Sequence, residues 1–212
     1  MPALAPRTYA LDGPDASAAL VWWPPVVARM AASGPLGGGI GVRAWVVNVT
    51  VPPDYGRVDP DRHLEEIAAT LHLAAGGVGM LTAVDVADSR WADDGEVEVV
   101  ASVGLTWPTW AAAPDGAPNP YAGTVNAIAW VPVALSDTAL VGAVITATEA
   151  KAQALAEAGV PGTGTASDAV CIACPQAARG GALERFAGPR SVWGARLARA
   201  VHAAVRAGIT TG

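Results

Sequence analysis

Between Gly123 and Val170 the chain collects short hydroxyl, amide and acidic side chains at the starts of two apolar runs. Thr124 and Asn126 open the first, in Gly-Thr-Val-Asn-Ala-Ile, and Thr163, Thr165, Ser167 and Asp168 lead into the second, in Gly-Thr-Gly-Thr-Ala-Ser-Asp-Ala-Val. A loop of small residues leaves backbone N–H groups uncovered and able to address a ligand oxygen. Such a loop suits an anion, an amide carbonyl or a tetrahedral oxyanion. Polar groups also interrupt apolar runs elsewhere: Asn48 in Val42–Val51, Thr82 and Asp85 in the run from Val78 to Val86, and Glu149 and Lys151 in Ala-Thr-Glu-Ala-Lys. A buried amide or carboxylate must find partners. For Asn48 those are either a hydrogen bond within the sheet or a ligand; for Lys151 and Glu149 a snorkelling amine and a solvated acid are the plain alternatives.

The elements that must position these groups are legible in outline. A short strand is expected near Thr8 to Leu11, and Ala18 to Ala32 reads as two strands joined at Pro24-Pro25, since proline cannot donate to a ladder. The glycine-rich Ser33 to Gly39 is a loop, and the β-branched Val42–Val51 reads as one central strand. Asp59-Pro60 opens a helix to about Ala75, with Asp59 as cap and Leu64, Ile67, Ala68 and Leu71 as its buried stripe. His63 and His72 flank that stripe as packing residues. A strand over 78–86 carries Thr82 and Asp85; Asp88, Asp93, Asp94 and Gly95 read as turn and solvated edge, and Glu96 to Leu105 as a strand with one wet face that pairs back on its predecessor.

From Thr106 to Ala122 the prolines and the aromatics Trp107, Trp110 and Tyr121 describe a long loop, pinned to the core by its rings or offering them to a flat ligand. Ser136-Asp137 begin a long helix that Gly159 stops, with Leu140, Val141, Val144, Thr148 and Leu155 expected inside. The last helix runs from about Ser191 to Ala207, burying Gly194, Leu197, Ala198, Val201 and Val205 and turning Arg196, Arg199 and Arg206 outward, with His202 at the border. Both cysteines lie in Cys171-Ile-Ala-Cys174, where strand alternation sends them to opposite faces, so they read as core residues rather than a metal or redox pair. About eight strands with three long helices predict an α+β layered sandwich of mixed sheets in a single domain spanning residues 1–212.

Composition narrows the function. A chain of 212 residues that is 52% apolar supports one sizeable core. Its net charge of −6 argues against nucleic acid as a partner. No apolar run approaches the roughly 20 residues that a bilayer span needs, and no export signal is read at the start, so a cytoplasmic protein without membrane partners is expected.

Taken together, the order GTVNAI, ALVGAVITATEAKAQALAEAGV, GTGTASDAVCIAC and FAGPRSVWGARLARAVHAAV, preceded by GPLGGGIGVRAWVVNVTV and VGMLTAVDV, resembles the adenosylcobinamide amidohydrolase family of corrinoid salvage. The likeness runs from about Ser33 to Val205. It implies hydrolysis of the amide that joins the aminopropanol arm of adenosylcobinamide to the corrin acid, giving adenosylcobyric acid and aminopropanol. The corrinoid is then substrate, and no cofactor is expected, with a metal requirement left open and a homo-oligomer possible.

Amide hydrolysis needs an attacking oxygen, a stabilised oxyanion and a proton for the leaving nitrogen. No Gly-x-Ser-x-Gly elbow and no His-rich metal motif is present. The expected base is therefore a carboxylate, Asp168 first and Asp85 or Glu149 second, with Thr82 and Thr165 as hydroxyls. Asn48, Asn126, Thr124, Gly164, Ser167 and Lys151 are expected to hold the substrate. Two departures from the family's pattern bear on substrate choice and on Asp168: GTGTASD in place of a compact GTGTD, and Ser191-Val192-Trp193 in place of a Thr-Lys pair. A corrinoid binder without catalysis and an amidohydrolase for another amide are the alternatives.

Overall fold

A computed structural model describes residues 2–117 and 123–209. In chain order its strands are β1 Arg7–Ala10, β2 Ala18–Trp22, β3 Ala28–Ala32, β4 Gly39–Arg43, β5 Val46–Thr50, β6 Val78–Thr82, β7 Arg90–Asp94, β8 Val97–Val103, β9 Val125–Trp130 and β10 Ala169–Pro175. The helices are α1 Pro60–Thr70, α2 Asp137–Glu157 and α3 Val192–Ile209. Two mixed sheets result, a four-stranded one in the order β1-β2-β5-β6 and a six-stranded one in the order β4-β3-β10-β9-β8-β7.

The burial pattern stacks these elements in four layers. Val99, Ala101, Ala129, Val170 and Ile172 of the large sheet pack under α2 and α3 through Leu140, Ala147, Leu197 and Val201. The alternate residues of the same strands, Val100, Ile128, Trp130, Cys171 and Ala173, face Trp22, Val46, Val78 and Met80 of the small sheet. On the far side, Val21, Val47 and Val49 receive Leu64, Ile67 and Ala68 of α1. This is the two-residue alternation of strands buried on both faces, and it makes the expected α+β sandwich. Trp22 and Trp130 meet edge to face between the sheets, ring centroids 5.9 Å apart. Cys171 lies between the sheets and Cys174 under the helices, as strand alternation requires. Burial pushes the Cys171 thiol up to about 12, well away from thiolate chemistry.

Several local expectations need correction. The Val42–Val51 run is two strands: β4 ends at Arg43 on the edge of the large sheet, Ala44-Trp45 crosses over, and β5 begins at Val46 in the small one. Trp45, buried and donating through Nε1 to the Ala74 carbonyl, anchors the crossing. Ten strands replace about eight. One of the extra ones is β7, which takes in Asp93 and Asp94, and it is this strand, not β6, that forms the hairpin with β8. Gly95, at φ 64, makes that turn. Helix α1 stops at Thr70, and His72 takes a positive φ of 53 as the chain turns away.

Asp59 occupies the N-cap position without capping through its side chain, because the carboxylate is taken by Arg57. Helix α2 buries Ala139, Ala143, Ala147, Ala150 and Ala154 rather than Val141 and Thr148, which are exposed. Small residues allow α2 to lie close to the sheet. The basic face of α3 is not merely solvated: Arg199 pairs with Asp94 of β7 and Arg196 lies over the Trp193 ring. His202 sits 2.8 Å from the Glu157 carboxylate at the end of α2.

Candidate active site

The parallel pair β5 and β6 ends at Thr50 and Thr82, and the parallel pair β9 and β10 begins at Val125 and Ala169. Both sets of ends lie at one rim of the space between the sheets. A cleft of about 540 Å³ opens there, walled by the segment from Val51 to Pro60 on one side and by Leu81 to Ala83, Thr124 and Ser167 to Ala169 on the other. Buried Thr82 and Thr124 line it together with exposed Ser33, Pro35, Val58 and Ser167, and Val58 is 98% exposed.

The two sequence-predicted asparagines face each other across the sheets. The Asn126 amide donates to the Asn48 side-chain oxygen at 2.8 Å and to the Leu81 carbonyl at 2.8 Å. Its own oxygen accepts the Ala169 N–H at 3.0 Å, while Asn48 donates to the Ser102 hydroxyl at 3.0 Å. Every strong group on Asn126 is thereby used inside the protein. The partners of Asn48 come from the other sheet rather than from its own strands, and neither amide lines the cleft.

Asp168 is the centre of the loop that forms the inner wall. One carboxylate oxygen accepts the Val125 N–H at 2.9 Å and the Thr165 hydroxyl at 2.6 Å. The other accepts the Thr165 N–H at 3.1 Å and the Lys151 ammonium. A carboxylate has about four lone-pair sites, and four donors fill them. Through these contacts Asp168, which also lines the cleft, ties the start of β9, the loop 162–168 and helix α2 together. Lys151 and Asp168 form this pair almost out of solvent, their side chains 10% and 12% exposed. Gly164 has to be glycine beside it, since a Cβ there would overlap both the Asp168 carboxylate and the Lys151 ammonium. Lys151 reaches Asp168 from below and does not line the cleft.

Among the hydroxyl residues that line the cleft are Thr82, Thr124, Ser167 and Ser33, the last accepting the Val170 N–H at 3.0 Å. Thr82 is fully buried and accepts the Val84 N–H at 3.1 Å. Thr124 and Ser167 share a hydrogen bond of 3.0 Å, and Ser167 makes a longer contact of 3.5 Å to the Gly123 carbonyl. Thr165 is spent on Asp168.

Two expected carboxylates lie elsewhere. Asp85 falls outside β6, exposed, and caps the short 3-10 turn Val86–Asp88 by accepting the Ala87 N–H at 3.0 Å. Glu149 is exposed on α2. Two residues along a helix turn it about 200° away from Lys151, so the two cannot serve one site. Among the described residues no group of three His, Cys, Asp or Glu side chains is placed to hold a metal ion.

The outer wall holds residues that sequence reasoning missed. Tyr55 lines the cleft, and its hydroxyl lies 2.9 Å from Nδ1 of His63, a buried residue of α1, with the two rings stacked. Burial, with the Arg57 charge second, lowers the His63 pKa below its ordinary value, while burial raises that of the Tyr55 phenol. Arg57 forks onto Asp59 and reaches Glu66 at 3.0 Å, bracing this wall against α1; its hydrogen bond is the main cause holding both carboxyls below their usual range. The signal available was the spacing Pro-Pro-Asp-Tyr-Gly-Arg-Val-Asp-Pro directly after an Asn-bearing strand, where loops at strand ends carry function.

The Trp loop approaches from the other side. Thr109 bridges to the inner loop by donating its N–H to Gly164 at 2.8 Å and accepting that of Thr163 at 2.8 Å. Backbone contacts pin it, and Trp107 and Trp110 are left 56% and 58% exposed, so they do not anchor it in the core. Tyr121 lies outside the described residues.

Comparison with known proteins supplies the family. The family model described as adenosylcobinamide amidohydrolase matches residues 7–212. A protein of that name from Halobacterium salinarum is 39% identical over 176 residues, covering 76% of this chain and 72% of that protein. One from Methanosarcina mazei is 30% identical over 180 residues, covering 82% of this chain and 86% of its own length. With the match running through both walls of the cleft and all ten strands, the chain belongs to the adenosylcobinamide amidohydrolase family.

Proposed function

We infer that this chain hydrolyses the amide between the aminopropanol arm and the corrin acid of adenosylcobinamide, releasing adenosylcobyric acid and aminopropanol. Family membership supplies the reaction. The observation that carries it to this molecule is a cleft lined both by hydroxyl side chains, Thr82, Thr124 and Ser167, and by apolar ones, Pro35, Pro52 and Val58. A slot of about 540 Å³ admits a side arm and its amide but not a whole corrin ring, which then rests against Pro35, Pro52 and Val58. The exposed indoles of Trp107 and Trp110, held beside the inner loop through Thr109, offer flat faces to the same large ligand.

Thr124 and Ser167 are placed to bind the scissile carbonyl. Their shared bond uses one hydroxyl proton, and the other is committed only to the long Ser167–Gly123 contact. A substrate oxygen replaces that contact at little cost and gains a donor as negative charge develops on it. Asp168 and Lys151 keep the loop that bears Ser167 in register with β9. The corrinoid is substrate and no resident cofactor is invoked.

Incubation of the purified chain with adenosylcobinamide, with aminopropanol measured as product, tests this reading. Stoichiometric release of aminopropanol and adenosylcobyric acid is expected. Tight binding without release would assign the chain to corrinoid binding alone, and release only from other amides would move it to another substrate.

A further inference from the structure

Tyr55 lines the substrate cleft, and its neighbour Arg57 lines both that cleft and a second, smaller cavity. That cavity, of about 210 Å³, lies between the loop after β1 and helix α1 and is lined by Asp15, Arg57, His63 and Glu66 among others. Tyr55 lines only the cleft and His63 only the small cavity, and they are joined by the 2.9 Å contact between the Tyr55 hydroxyl and His63 Nδ1. The rings are stacked with centroids 5.5 Å apart and planes inclined by 15°, which holds the phenol oxygen beside Nδ1. Among the described residues each of these two polar atoms has the other as its hydrogen-bond partner.

We propose that Tyr55 and His63 form a proton relay for the hydrolytic step, in which the Tyr55 hydroxyl takes a proton from the attacking water while passing its own to His63 Nδ1. The proposal rests on the hydrolase reading above and names the base that Asp168, with its oxygens filled, does not supply. The accounting closes. Water oxygen bonds to the carbonyl carbon, its proton goes to the tyrosine oxygen, and the tyrosine proton makes His63 an imidazolium. As the C–N bond breaks, that proton returns through Tyr55 to the departing nitrogen. The new carboxylic acid then yields its proton to the freed amine, giving carboxylate and ammonium, with nothing oxidised or reduced.

The charged groups around His63 fit a transient imidazolium. Asp15 from the loop after β1, Asp59 before α1 and Glu66 on α1 favour the charged form, whereas burial and Arg57 oppose it. The resting ring is therefore neutral at neutral pH; the relay uses the tautomer whose Nδ1 accepts from Tyr55, and the carboxylates stabilise the ring once it has charged.

Two variants and one titration test the relay. Tyr55→Phe keeps the ring stack and removes only the hydroxyl, and His63→Gln keeps a polar side chain; folding of each is checked by circular dichroism. Both are expected to lose about a hundred-fold in kcat with KM within about three-fold, the double variant being no slower than the slower single one. In the wild type kcat/KM should fall on an acid limb below 6.5, the ordinary histidine value, and that limb should vanish in His63→Gln. By NMR, His63, one of three histidines, should titrate at higher pH in Tyr55→Phe than in the wild type, because the donor that favours its neutral form is gone. Wild-type rates in Tyr55→Phe, an unchanged acid limb in His63→Gln, or an unmoved His63 titration would each overturn the relay alone. A wild-type chain that releases no aminopropanol would instead overturn the hydrolase reading, and the relay with it.

Discussion

Asn126 of β9 donates to Asn48 of β5 at 2.8 Å, a hydrogen bond between two fully enclosed side chains that belong to different sheets. It bolts the sandwich together at the rim where the cleft opens. Replacing Asn126 by Asp keeps the acceptor for the Ala169 N–H but removes both donors and sets a carboxylate against the oxygens of Asn48 and Leu81. We expect a loss of at least about 3 kcal/mol in urea unfolding, on the order of 1–3 kcal/mol for each buried group left unpaired. A change below 1 kcal/mol would show that the sheets are held without this contact.

Lys151 and Asp168 should behave as a unit. Asp168→Asn strands a buried ammonium, and removing one member of a buried pair costs about 3–5 kcal/mol. Lys151→Met combined with Asp168→Asn should recover part of that stability without recovering turnover, since the Thr165 and Val125 contacts weaken together. Thermal unfolding and aminopropanol release, measured on the two single variants and the double, check both halves. Turnover that persists in Asp168→Asn at the wild-type level would exclude any part for the inner loop.

Trp107 and Trp110 should matter to the substrate and not to the fold. Because both rings are more than half exposed, Trp107→Ala and Trp110→Ala are expected to leave the unfolding midpoint within about 0.5 kcal/mol of the wild type. KM for adenosylcobinamide should rise about ten-fold as a stacking face is lost, with kcat nearly constant. Equal loss of kcat would move these rings from binding to the chemical step.

Stability should fall on the acid side through His63. Its folded pKa is depressed, so the unfolded chain binds the proton more readily, and the contribution is complete above the unfolded value of 6.5 and lost as pH falls through the folded one. Between those two values the slope is up to about 1.4 kcal/mol per pH unit. Urea midpoints at pH 7.5 and 5.5 should converge in His63→Gln and stay apart in the wild type. Identical slopes for the two proteins would show that His63 titrates alike folded and unfolded.

Much of this architecture could be read from local chemistry. Ser136 caps α2 by accepting the Ala139 N–H at 3.2 Å, and Gly159 ends the helix at φ 72, both as their residue types indicate. The gathering of Thr82, Thr124, Ser167 and Asp168 at one rim follows from where their strands begin and end. Sheet membership was not legible, because the backbone of β4 is as extended as that of β5 and nothing in Arg43-Ala44-Trp45 marks the passage between sheets. Nor was the filling of the Asp168 carboxylate, which depends on Lys151 arriving from a helix whose inward face is built mostly of alanines, with Leu140 and Leu155. Tyr55 and His63 escaped for the same reason: they are eight positions apart in the chain and acquire meaning only when α1 folds back over the loop.

The strand β10 lies between β3 and β9, so Ile172 is paired with Ala31 on one side and with Ala129 on the other. A nascent chain emerging from the ribosome can complete the small sheet once Thr82 is out, since all four of its strands precede that point. The large sheet cannot close until Pro175 has been made, and β3 and β4 must wait for it with an unsatisfied edge. Pairings so remote in the chain form slowly. The cleft is thus completed late in synthesis, and the early hairpin of β3 and β4 is the segment that a chaperone has most reason to cover.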